Sequence, residues 1–101
     1  MSSPRTLRFA LKAHGDMADI AQYTKLEWGE AQWKEYSRTL TSAFNRVAEF
    51  PELGEPRPDL GSGVRMIRID HHVLYYRATP KTIRILRIRH VRAHRLAAGD
   101  L

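Results

Sequence analysis

The sequence predicts an α+β fold in the order strand, helix, helix, strand, strand, strand. Three observations carry this. First, Gly63 to Arg92 (GVRMIRIDHHVLYYRATPKTIRILRIRHVR) holds three runs rich in β-branched and aromatic residues, Val64 to Ile69, Val73 to Arg77 and Ile83 to His90. Turn signals at Asp70-His71 and at Thr79-Pro80-Lys81 separate them. Second, two stretches with apolar residues at helical spacing lie on either side of Gly29. Third, the chain opens on strict alternation, with Leu7, Phe9 and Leu11 on one side and Arg8, Ala10 and Lys12 on the other.

Taken in order, Arg5 to Ala13 reads as a half-buried strand. His14-Gly15-Asp16 then reads as a turn, with Asp16 as the helix N-cap and Asp19 supporting the first turn. Met17, Ile20, Ala21, Thr24 and Trp28 form the inward stripe of the first helix, and Gly29 stops it. A second helix starts near Glu30, with Trp33, Tyr36, Leu40, Phe44 and Val47 inward and Lys34, Glu35, Arg38 and Glu49 wet. The short break makes the two an antiparallel hairpin, and the only large apolar partner for their stripes is the sheet. Both tryptophans are expected in the core. Phe50 to Gly63 is a connector rich in Pro and Gly, ordered by Leu53 and Leu60. In the last strand, Ile83 and Ile85 are expected on one side with Arg87 and Arg89 at their far end, and Leu86 and Ile88 on the other. The tail from His94 reads as a short helical turn or a frayed end.

A chain of 101 residues supports one core, so residues 1–101 are read as a single domain. Without cysteine, disulfides and zinc–thiolate sites are excluded. The opening residues lack the apolar run of a signal peptide, and no stretch of eighteen apolar residues occurs, which points to a cytoplasmic protein without a membrane span. The net charge of +6 is split: residues 1–56 carry −1, while residues 57–101 carry +7, with nine of their ten cations arginine. Such a field suits an anionic partner, either an acidic protein segment or a nucleic acid, and the planar guanidinium binds carboxylate and phosphate bidentately. The sheet is therefore expected to offer one face, or one rim, of arginine to that partner.

The densest cluster is Arg87, Arg89, His90 and Arg92 at the end of the last strand. It reads either as an anion-binding surface or as solvated charges that protect a strand end. Arg65 reads either as an exposed guanidinium on the sheet or as an ion-pair partner of Asp59 or Asp70 that fixes the connector. Tyr75 and Tyr76 point to opposite faces, so one belongs in the core and the other can contact a partner. His90 and His94 are four apart but lack a third ligand, so no metal is expected. Gly61-Ser62-Gly63 lacks the lysine of a phosphate loop and reads as a turn. No cofactor is implied.

Several segments together resemble the ParE branch of the RelE/ParE toxins of bacterial type II toxin–antitoxin systems, over about residues 7–96. They are Asp16-Met17-x-x-Ile20-x-x-Tyr23-Thr24, Trp28-Gly29, and Tyr36-x-x-x-Leu40-x-x-x-Phe44-x-x-Val47-Ala48. Phe50-Pro51-x-Leu53-Gly54, Pro58-Asp59-Leu60-x-x-Gly63-Val64-Arg65, His72-Val73-Leu74-Tyr75-Tyr76-Arg77 and Ile83-x-Ile85-Leu86-Arg87-Ile88-Arg89-His90 complete the set. The resemblance implies a sandwich of an antiparallel, curved sheet with the helix hairpin on one face. It also implies a cognate antitoxin whose C-terminal segment wraps the toxin, and DNA gyrase as the target. Arg65, Tyr76, Arg77, Arg87, Arg89, His90 and Arg92 are the residues expected to bind target or antitoxin. The alternative within the superfamily is RelE-like, metal-free cleavage of mRNA on the ribosome, for which Arg65, Arg87, Arg89, His90 and Arg92 are the candidate catalytic groups. Against it, the tail AHRLAAGDL lacks the tyrosine that RelE-type nucleases carry there, and Val73 stands where they place an arginine.

Overall fold

The computed structural model describes residues 4–93 and 96–101. In chain order the elements are β1 (Thr6–Phe9), α1 (Leu11–Trp28), α2 (Glu30–Glu49), β2 (Glu55–Pro56), β3 (Val64–Ile69), β4 (His72–Ala78) and β5 (Thr82–His90). Short 3₁₀ turns occupy Pro51–Leu53, Pro58–Leu60, Val91–Ala93 and Ala98–Asp100. The expected order of strand, two helices and three strands holds, with the two-residue β2 added inside the connector.

The first strand is shorter than its alternation suggests. Ala10 N–H closes the ladder on the Ile85 carbonyl, and its own carbonyl then accepts from Ala13 and His14, starting α1. Leu11, Lys12 and Ala13 are good helix formers, and Ala13 is fully buried against the sheet. His14, Gly15 and Asp16 therefore sit inside α1, and Asp16 is not its N-cap. Gly29 separates the helices at φ 92°, a left-handed value that favours glycine. Its N–H caps Lys25, and its carbonyl receives Trp33 N–H.

The five strands form one sheet in the order β1-β5-β4-β3-β2. The pairs β2–β3, β3–β4 and β4–β5 are antiparallel, but β1 lies parallel to β5, with Leu7 opposite Ile83 and Phe9 opposite Ile85. The sheet is thus mixed rather than wholly antiparallel, because the two helices intervene between β1 and the other strands as a crossover. Asp70, at φ 51°, turns β3 into β4.

The helix hairpin covers one face. There Ile20, Leu40, Phe44 and Val47 pack on Ile69, Leu74, Tyr76, Ile83, Ile85 and Ile88, with Trp33 partly buried beside them. The other face carries a smaller apolar cluster of Leu60, Val64, Val73, Tyr75 and Leu86, against which Val91, Leu96 and Leu101 pack. The expected arginine-lined face is therefore apolar at its centre. Both central tyrosines are buried, one in each cluster.

A bulge sets the register. Tyr75 lies opposite Arg87 and Tyr76 opposite Ile85, which leaves Leu86 as the extra residue. Beyond it the alternation reverses. Ile88 joins Ile83 and Ile85 on the helix side, and Arg87 and Arg89 pass to the opposite side, contrary to simple alternation. The bulge also brings His72 directly opposite His90.

Candidate functional site

Pairing between β1 and β5 ends at Ile85, although β5 continues to His90. Beyond that point α1 runs beside the open strand edge. Asp16 of α1 caps it: one carboxylate oxygen accepts Ile88 N–H at 2.9 Å and Arg87 Nε at 2.8 Å, while the other accepts Arg87 Nη2 at 2.9 Å. The two side chains are only 15% and 13% exposed. This bidentate bond holds the Arg87 guanidinium even more firmly in its charged form. Arg87 also donates to the Asp100 carbonyl at 3.1 Å, tying the C-terminal segment to the strand.

Between α1, the start of α2 and the end of the sheet lies an open cleft of about 1230 Å³. Its base includes Ile20, Thr24, Tyr36, His72 and Ile88. Tyr36 Oη lies 2.6 Å from His72 Nδ1 and donates to the Ile69 carbonyl at 3.3 Å. Burial, reinforced by the charge of Asp70, pushes the phenol up to about 12. Burial, with help from the neighbouring His90 and His71, lowers His72 to about 4, so its imidazole is neutral at pH 7. The His72 and His90 rings meet edge to face at 5.4 Å, and His90 lies parallel to His71 at 6.5 Å. His90 Nδ1 accepts Arg92 N–H at 3.1 Å.

The sheet end of the cleft carries Arg68, Arg87, Arg89 and Arg92, and the opposite wall carries Tyr23 and Trp28. Trp28 is 70% exposed and Tyr23 61%, so Trp28 is a surface residue and not part of the core. Arg68 Nε donates to the Asp70 carbonyl at 2.9 Å, and Arg89 Nη2 to the Ala93 carbonyl at 3.0 Å. Carbonyl contacts orient a guanidinium without neutralising it. Among the described residues, Arg87 is the only arginine of the cleft with a carboxylate in ion-pair range.

Of the residues singled out from the sequence, Arg87, Arg89, His90 and Arg92 converge on this cleft, while Arg65, Tyr76 and Arg77 do not. Arg65 lies on the hairpin side and donates to the carbonyls of Gly54 at 2.7 Å and Glu52 at 3.4 Å. It fixes the connector, but through backbone and not through Asp59 or Asp70. Asp59 pairs with Arg57 instead. Tyr76 is fully buried, its hydroxyl donating to the Pro51 carbonyl at 2.6 Å and accepting Gly54 N–H at 2.8 Å, so it is a structural anchor and not a contact surface. Arg77 donates to the Ser62 carbonyl and borders a notch of about 380 Å³ on the other face, with Lys12, Arg84 and Leu101. Leu53 is exposed, and of the two connector leucines only Leu60 is buried. His94 lies outside the described residues. Among those described, no group of three His, Cys, Asp or Glu is placed to hold a metal. No described helix is long and apolar enough to cross a membrane.

Sequence reasoning missed Asp16, Tyr36 and His72 as members of this site. The signal for His72 was the adjacent histidine pair, but its contact with His90 depends on a register that only the bulge establishes.

The family model described as the ParE toxin of the type II toxin–antitoxin system parDE matches residues 7–94. Toxin ParE1 of Caulobacter vibrioides is 33% identical over 91 residues, covering 86% of this chain and 94% of that protein. Toxin ParE of Escherichia coli is 31% identical over 64 residues, covering 63% and 62% respectively. Among solved structures, the chromosomal ParDE system of P. aeruginosa aligns over 89% of this chain and 99% of that one, with a TM-score of 0.73 and 23% identity. The RelBE2 toxin–antitoxin complex of Mycobacterium tuberculosis aligns over 87% and 99%, with a TM-score of 0.65 and 25% identity.

Proposed function

Because this chain belongs to the family of ParE toxins of type II toxin–antitoxin systems, we propose that it arrests growth by inhibiting DNA gyrase. In this reading a cognate antitoxin neutralises it by laying an acidic C-terminal segment over the cationic end of the cleft. The observation that carries the reading is the set of guanidinium groups on Arg68, Arg89 and Arg92, the first two oriented by carbonyls and all three without a carboxylate in ion-pair range among the described residues. A segment rich in Asp and Glu supplies the missing charge, and the exposed Tyr23 and Trp28 accept its apolar side chains. The partner is further supported by the family description, which places these toxins in toxin–antitoxin pairs. Both partner and target belong to the cytoplasm, and the reading requires neither metal nor cofactor.

Messenger cleavage is the weaker alternative. Of the groups it needs, Arg65 lies away from the cleft and is bound to the connector, Arg87 is committed to Asp16, and His90 uses Nδ1 to receive a backbone N–H. General acid–base catalysis requires such groups to converge on one reacting atom. The test is induction of the toxin alone, with and without the antitoxin encoded beside it, followed by assays of gyrase and of message integrity. Growth arrest rescued by the antitoxin, with trapped gyrase–DNA complexes and intact message, is the expected result. Message cut within codons would transfer the protein to the ribonuclease class, and a harmless chain would remove the toxin reading.

A further inference from the structure

The cleft pairs a cationic surface with an aromatic one. Among the described residues, one end is cationic through arginine and not lysine, and Arg68, Arg89 and Arg92 have no carboxylate in ion-pair range. The other end presents the rings of Trp28 and Tyr23, which α1 carries to the surface. Of the two aspartates lining the cleft, Asp16 is consumed by Arg87 and Ile88, which leaves Asp19 as the lining carboxylate that opposes the positive end. Planar forks next to flat, exposed aromatic rings are the combination that holds a flexible polyanion whose charges alternate with π-faces.

We propose that this cleft binds a single strand of nucleic acid, with phosphates on Arg68, Arg89 and Arg92 and a base against Trp28 or Tyr23. Its volume exceeds the usual few hundred to about 1,000 Å³ of a small-molecule pocket and it is open to solvent, so a strand can pass through it and continue beyond. A duplex keeps its bases stacked inside and cannot offer a face to Trp28. The assignment stands on the cleft itself and does not depend on gyrase or an antitoxin. If both readings hold, an acidic antitoxin segment and the strand compete for the same arginines.

Titration of the whole protein with a ten-nucleotide oligothymidylate, followed by tryptophan emission, tests this. Binding is expected to quench Trp28 while the half-buried Trp33 continues to emit. Trp28→Leu should abolish the quench and weaken binding roughly fivefold or more, with the salt dependence unchanged. Arg68→Ser with Arg92→Ser should weaken binding at least about tenfold and flatten the slope of log K against log salt by roughly 1.4, or about 0.7 per lost phosphate contact. These side chains are exposed, and far-ultraviolet dichroism verifies that each variant is folded. An oligouridylate bound more tightly than the DNA would support the site and assign it to RNA; the reverse would assign it to DNA. The proposal fails if the wild-type protein does not bind, if Trp28→Leu binds as before, or if duplex DNA binds as tightly as the single strand. Equal binding of poly-glutamate would also overturn it, leaving a surface that senses charge alone, as the antitoxin reading requires.

Discussion

Asp16 illustrates how one carboxylate can serve a strand edge and an arginine together. Removing it leaves the largely buried Arg87 guanidinium without a counter-charge and the Ile88 N–H without an acceptor. Asp16→Ala should cost about 2–4 kcal/mol, read from urea unfolding, whereas Asp16→Asn retains an acceptor and should cost roughly half as much. His72 gives a second prediction. Its folded value of about 4 lies below the ordinary 6.5, so the unfolded chain binds the proton more readily. Stability is therefore full above pH 6.5, falls as the pH drops from there toward 4, and levels off below. Complete burial would set the loss at about 3 kcal/mol, and the partial exposure of the ring brings it nearer 1–2 kcal/mol. His72→Gln should flatten thermal stability across that window, and an unchanged pH profile would show that the ring contributes nothing to it.

At the scale of elements, the connector depends on a close approach. A Cβ placed on Gly54 would meet Tyr76 Oη at 2.6 Å and the ring at 2.8 Å, in a core position where neither can withdraw freely. Gly54→Ala should destabilise by about 1–3 kcal/mol through this overpacking. Tyr76→Phe should cost a similar 1–3 kcal/mol by leaving Gly54 N–H and the Pro51 carbonyl unpaired. Chemical denaturation of both variants checks this. α2 was legible in the sequence because Tyr36, Leu40, Phe44 and Val47 are all buried where their spacing placed them. Trp28 extends the corresponding stripe of α1 by one turn, yet spacing along a helix says nothing about where its cover ends, and this indole is left in solvent. β5 was misread beyond Leu86 because alternation assumes an unbroken ladder. The cluster of Arg87, Arg89, His90 and Arg92 was legible as a location, since strand ends gather in space. The commitment of Arg87 to Asp16, 71 positions earlier, was not, because no local pattern encodes a contact across the fold.

For the whole molecule, the uneven charge predicts how the proposed antitoxin complex responds to ionic strength. Raising salt from 0.05 to 0.5 M should slow association by roughly tenfold or more while leaving dissociation nearly constant, as surface plasmon resonance would report. The parallel contact of β1 with β5 has a different consequence. Of the five strands described, the first to leave the ribosome finds its partner only in the fifth, and the core residues Ile83, Ile85 and Ile88 arrive with it. A nascent chain cannot close this sheet before residues 82–85 have been made, and contacts so distant in sequence form slowly. Until β5 emerges, the apolar faces of the helix hairpin have no complete sheet to cover, so the emerging chain depends on its own fifth strand for shelter.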